Sequence, residues 1–116
     1  MEKTIFRSVV GDSPTTRILE LLLEARELDY SLSDIARNSC VSWSTLHRVW
    51  DEFERNKIVK QTRMIGKAKM YLLNRDTPAV RKLIRFFDSV IKEKNEKHLQ
   101  ERNKRHVQKE YALAHS

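Results

Sequence analysis

Two clusters of residues in this 116-residue chain carry the chemistry of recognition rather than of catalysis. The first is Ser42, Ser44, Thr45, His47 and Arg48, three short hydroxyl side chains followed by an imidazole and a guanidinium. Hydroxyls at a helix N-terminus suit phosphate oxygens, and a guanidinium fork can pair with O6 and N7 of guanine. The second cluster lies between residues 55 and 75, which hold seven cations (Arg55, Lys57, Lys60, Arg63, Lys67, Lys69, Arg75) and no acid. Residues 1–54, by contrast, carry ten acids against six bases, and residues 76–116 carry ten bases against six acids. A cationic block set on an acidic scaffold is the electrostatic footprint of a polyanion partner; the bland alternative is a solvated basic hairpin.

Catalytic and metal chemistry find little support. There is no glycine-rich phosphate loop, no paired carboxylate in an apolar setting and no nucleophile motif, so no enzyme and no cofactor are expected. The histidines at 47, 98, 106 and 115 lack ligand spacing, and Cys40 is the single cysteine, which rules out an internal disulfide or a cysteine metal cluster. A lone cysteine fits a reducing compartment, and the N-terminal MEKTIFRSVV has neither a long apolar core nor a cleavage site. No apolar run approaches the roughly 20 residues of a membrane span. These features lead us to expect a cytoplasmic protein that engages no membrane. With 40% of residues hydrophobic and 34% charged, one compact domain with an appendage is the natural size of the fold.

The elements that must position the two clusters can be read from periodicity and caps. Ile5, Phe6, Val9 and Val10 form a short amphipathic helix stopped by Gly11. Ser13 and Pro14 open a second helix running to about Leu28, with Ile18, Leu19, Leu22 and Leu23 inward and Arg17, Glu20, Glu24 and Glu27 toward water. Ser31 and Asp34 give a capping signal for a short helix through about Ser39, with Leu32, Ile35 and Ala36 inward. Val41 plugs the turn, and Ser42 caps a helix from Trp43 to about Asn56. In that helix Leu46, Val49, Trp50 and Phe53 share one side, with Trp43 at the edge of the stripe, while Ser44, Arg48, Asp51 and Arg55 lie opposite. A hairpin over roughly 59–64 and 69–73 turns at Gly66-Lys67, its register blurred by imperfect alternation. Thr77-Pro78 starts a last helix with the apolar seam Val80, Leu83, Ile84, Phe87, Val90 and Ile91. Beyond it the stripe fades to Leu99, Val107 and Tyr111 in a mostly polar tail.

The order helix, helix, turn, helix, hairpin, helix is that of a winged helix-turn-helix: mainly α with a small β-hairpin (α+β) and a long C-terminal helix. The stretch SLSDIARNSCVSWSTLHRVWDEFERNKIV followed by TRMIGKAKMYLLN resembles archaeal winged-helix transcriptional regulators, similar in build to ArsR and MarR repressor-type domains. The resemblance covers about residues 5–90, with Ala36 at the small position where the two helices cross and Val41, Leu46 and Val49 at buried positions. One departure is Cys40, in a turn position usually held by glycine because the backbone there needs φ > 0.

The resemblance implies a sequence-specific double-stranded DNA-binding regulator comprising a DNA-binding domain over 1–76 and a C-terminal helix over 77–116. Its helix 42–56 would enter the major groove by its N-terminal end, presenting Ser42, Ser44, Thr45, His47 and Arg48. Its wing, 59–73, would bring Arg63, Lys67 and Lys69, and less directly Lys60, to the backbone or an adjacent minor groove. Homodimerisation is the expected assembly, and the seam Val80, Leu83, Ile84, Phe87, Val90 and Ile91 either pairs two copies or covers the chain's own core. No small-molecule ligand is evident. The rival reading is a winged-helix module that binds protein without specific DNA binding, and RNA binding is disfavoured by the lack of an aromatic stacking platform.

Overall fold

The computed structural model describes residues 4–93 and 95. The order is α1 (Ile5–Val10), α2 (Pro14–Glu24), β1 (Tyr30–Ser31), α3 (Leu32–Ser39), α4 (Trp43–Arg55), β2 (Val59–Ile65) and β3 (Ala68–Leu73), followed by the helix α5 over 78–93. The fold is therefore mostly helical with a three-stranded antiparallel sheet in the order β1-β3-β2, a winged helix-turn-helix.

Local chemistry explains the helix boundaries. The hydroxyls of Thr4, Ser13, Ser31 and Ser42 accept from backbone N–H groups three residues on, satisfying donors that the first helical turn leaves without a partner. At Ser31 the cap is reciprocal, because the Asp34 carboxylate also accepts from the Ser31 backbone. Two helices end through left-handed residues that are not glycine, Cys40 (φ 57) after α3 and Lys57 (φ 55) after α4. After α4 the N–H groups of Lys57 and Ile58 return to the carbonyls of Glu54 and Phe53 at 3.1 and 2.8 Å, closing the helix end and aiming the chain into the wing. The two-residue turn Gly66-Lys67 puts the positive φ of 60 on glycine, where it is unstrained.

One core joins every layer. Phe6 of α1, Ile18, Leu22 and Leu23 of α2, Ile35 of α3, Leu46 and Trp50 of α4, Leu73 of β3 and Val80 of α5 are almost completely excluded from water. Phe6 meets Phe87 edge-on with ring centres 5.2 Å apart, which ties the first helix to the last.

Four expectations need correction. The second helix stops at Glu24, and residues 25–29 turn the chain into a short strand, β1, that has no readable period because it is two residues long. Glu20 does not face water: α1 lies across it, Arg7 approaches it to 3.3 Å and Thr4 donates to it at 2.5 Å. Half of the α1 stripe, Val9 and Val10, is exposed. Trp43, placed by its position at the margin of the core, is half exposed instead. The imperfect alternation of the hairpin has a structural cause, a register shift between Gln61 and Arg63 that leaves Thr62 unpaired in a β-bulge. Most of the polar tail, including Leu99, Val107 and Tyr111, lies outside the described residues.

Candidate nucleic-acid interface

The apolar side of α4 locks the helix in place and thereby fixes what its other side presents. Leu46, Val49, Trp50 and Phe53 are buried, and Trp50 packs edge-on against Tyr71 of β3 with ring centres 5.1 Å apart. This aromatic contact helps to join the helix to the wing. On the outer side Ser42, Ser44, His47 and Arg48 are exposed and Thr45 is half-buried. Ser42 and Thr45 are partly occupied by capping, with the Thr45 N–H and Oγ1 at 3.3 and 2.8 Å from Ser42 Oγ. Arg48 pairs with no acid among the described residues. Asp51 is exposed too, but lies nearly one turn further along the helix.

The fold brings the N-terminal end of α4 beside the wing. A cleft of about 260 Å³ lies between them, bordered by Trp43 of α4, by Ser31, Leu32 and Ser33 at the start of α3, and by Lys67, Ala68, Lys69 and Tyr71 of the hairpin. Lys67 and Lys69 are exposed and carry no acid partner among the described residues. The Trp43 indole stands edge-on to His47 at 4.6 Å, so the two aromatics brace each other at the mouth of the cleft. Sequence patterning did not single out Ser33 or Trp43 for this face; the only signal for Trp43 was its marginal place on the apolar stripe.

The other two wing cations are engaged. Lys60 lies 3.6 Å from Asp76 near the base of the hairpin, away from the cleft. Arg63 holds Asp29 with two hydrogen bonds, Nε at 2.9 Å and Nη2 at 3.1 Å, and Thr62 Oγ1 donates to the same carboxylate at 2.6 Å. These donors, Arg63 first, hold the Asp29 carboxyl down at about 2, from an ordinary value of 3.8. Because the folded value is the lower one, this contribution to stability is present above pH 3.8 and is lost as pH falls toward 2. A carboxyl-detected titration should therefore give a midpoint near 2 for Asp29, moving back toward 3.8 in Arg63→Gln; a wild-type midpoint already at the ordinary value would contradict the pairing.

The C-terminal seam divides between two surroundings. Val80 and Phe87 are buried among the chain's own core residues, and Leu83, Ile84 and Ile91 pack half-buried against that core. A side chain with no remaining accessible surface has none to offer a second copy. Val90 is half-buried, and Phe86, outside the expected seam, is 41% exposed. Arg26, in the turn after α2, clamps Asp88 of α5 at 3.0 and 2.5 Å, fastening the helix further to its own chain. Among the described residues no group of three His, Cys, Asp or Glu side chains converges to hold a metal, and no helix is long and apolar enough to cross a membrane.

Such a layout, a capped second helix beside a two-stranded wing, defines the winged helix-turn-helix class. Neither a family model nor a curated protein sequence matches the chain. Among solved structures it is similar to MepR, a transcription regulator of the Staphylococcus aureus multidrug efflux pump MepA, with a TM-score of 0.60 at 17% identity over 84% of this chain and 72% of that one. A mutant of S. aureus MepR bound to an oligodeoxyribonucleotide aligns with a TM-score of 0.57 at 17% identity, over 83% of this chain and 69% of the other. A MarR-family transcriptional regulator from Silicibacter pomeroyi aligns with a TM-score of 0.55 at 19% identity, over 81% and 62% respectively. At such identities the likeness is one of fold.

Proposed function

We propose that the chain is a sequence-specific double-stranded DNA-binding transcriptional regulator. In this reading the N-terminal half of α4 lies in the major groove and the β2–β3 wing meets the sugar-phosphate backbone or the neighbouring minor groove. The observation that carries it is that Lys67 and Lys69 of the wing, with no acid partner among the described residues, border one cleft with Trp43 at the N-terminal end of α4, while Arg48, Ser42 and Ser44 are exposed at that same helix. A face of that charge suits phosphates, and the exposed guanidinium suits a base edge. Solved structures of transcription regulators, one of them bound to an oligodeoxyribonucleotide, share the fold and support the same direction.

Ser42, Ser44, Thr45 and His47 supply groups for phosphate or base contact, and Lys60 a more distant charge at the base of the wing. Two copies related by a two-fold axis would place two α4 helices on successive turns of the duplex. The surface left for that pairing lies along α5, where Leu83, Ile84, Val90 and Ile91 retain part of their area and Phe86 is exposed.

The test is duplex affinity across a salt series. Each neutralised phosphate contributes about −0.9 to the slope of log K against log salt, so replacing Lys67 and Lys69 together by alanine should make it shallower by about 1.8. An unchanged slope would remove the wing lysines from the interface. Absence of duplex binding at low salt, with retention of a protein partner instead, would favour a protein-interaction module.

A further inference from the structure

We propose that Asp29, Thr62 and Arg63 form a latch that sets the position of the wing against the helix-turn-helix, making Asp29 and Arg63 positioning residues rather than phosphate contacts. The proposal rests on the DNA-binding reading above and specifies how its two contact elements are held in register.

The latch is built from the two outer strands of the sheet. Asp29 immediately precedes Tyr30 of β1, and Ser31 in the same strand caps α3, so the carboxylate is anchored to the first helix of the helix-turn-helix. Thr62 and Arg63 belong to β2 on the far side of β3. The bulge explains how both reach one target. Pairing runs from Gln61↔Tyr71 directly to Arg63↔Met70, and the extra residue, Thr62, brings two consecutive side chains to the same carboxylate. In a regular strand neighbouring side chains point to opposite faces. The Asp29 side chain is 14% exposed under this cover.

Among the described residues β2 pairs only with β3, so this cross-strand contact restrains the hairpin from pivoting about that seam. Bidentate guanidinium–carboxylate pairing fixes direction as well as distance. For Arg63 to reach a phosphate, it would abandon two charge-assisted bonds and leave a carboxylate with no countercharge, held by Thr62 alone, facing a polyanion. Lys67 and Lys69, without acid partners among the described residues, face no such cost.

The sign of one substitution separates a latch from a bystander. Asp29→Asn in the full chain removes a negative charge, which by charge alone should tighten duplex binding. The latch requires the opposite, a weakening of about fivefold, because the wing occupies its binding position for a smaller fraction of the time. Arg63→Gln should weaken binding similarly and leave the salt slope at its wild-type value, whereas loss of a phosphate contact would change it by about 0.9. The double variant should be no weaker than the weaker single one, and Asp29→Glu should recover part of the loss. Tighter binding by Asp29→Asn, or an altered slope in Arg63→Gln, would overturn the latch. In the free protein, Asp29→Asn should shift the amide resonances of residues 59–73 while thermal unfolding remains cooperative; unmoved resonances would also overturn it. This last measurement judges the latch even if wild-type protein binds no duplex, an outcome that would remove the DNA-binding reading itself.

Discussion

Replacing Trp50 by alanine is expected to destabilise the chain by about 3–5 kcal/mol, the range for deleting a large buried aromatic. Trp50 is 1% exposed and packs against Phe53 at 6.0 Å and Tyr71 at 5.1 Å between ring centres. Its loss opens a cavity where α4 meets the wing, and neighbours anchored in α4 and β3 cannot collapse to fill it. Domains of this size hold about 5–15 kcal/mol in total, so the variant should lose a large part of its stability. The unfolding midpoint should fall by at least about 12 °C in calorimetry. Trp50→Phe, which keeps an aromatic in contact with Tyr71, should fall by less. A midpoint within a few degrees of wild type in Trp50→Ala would show that this contact is not where helix and wing are joined.

Arg48→Ala is expected to change which duplex is preferred rather than whether duplex is bound. A bidentate contact to guanine discriminates by about 1–3 kcal/mol, roughly 5- to 150-fold between the right and wrong base pair. The variant should therefore bind a selected site and its single-base-pair mutants with nearly equal affinity at one position, retaining discrimination elsewhere. Arg48 is suited to this because it is exposed, has no acid partner among the described residues and lies just over one turn from the start of α4. Uniform weakening on every sequence would instead make Arg48 a phosphate contact. Asp51 marks where the contact should end, since an exposed carboxylate is repelled by the backbone on either side of the groove.

What could be foreseen without coordinates was what is local. The Ser13, Ser31 and Ser42 caps, the inward set Leu46, Val49, Trp50 and Phe53, and the glycine turn at Gly66 depend on neighbours within about one helical turn or one hairpin. The left-handed backbone at Cys40 was legible through the winged-helix resemblance, in which that turn position is usually glycine. What escaped depends on distant parts of the chain. Glu20 sits on the polar side of its own helix and is buried only because α1 crosses it. Arg63 reads as one more cation in an acid-free block, yet its carboxylate partner lies 34 positions earlier. Trp43 could be placed at the edge of the core or outside it by the same periodicity, and packing left it outside. The candidate site was thus legible as a composition, but the division of its cations into engaged and available ones was not.

The bulge at Thr62 has one more consequence, for how copies of the chain avoid one another. β2 is an outer strand, and an outer strand offers unpaired backbone groups to any other extended chain, the first step toward fibrous aggregation. A straight, apolar β2 would be a template for that growth. Here the bulge interrupts the ladder midway. A second hairpin laid along this edge would meet a broken register, which favours keeping the strand solitary at high protein concentration.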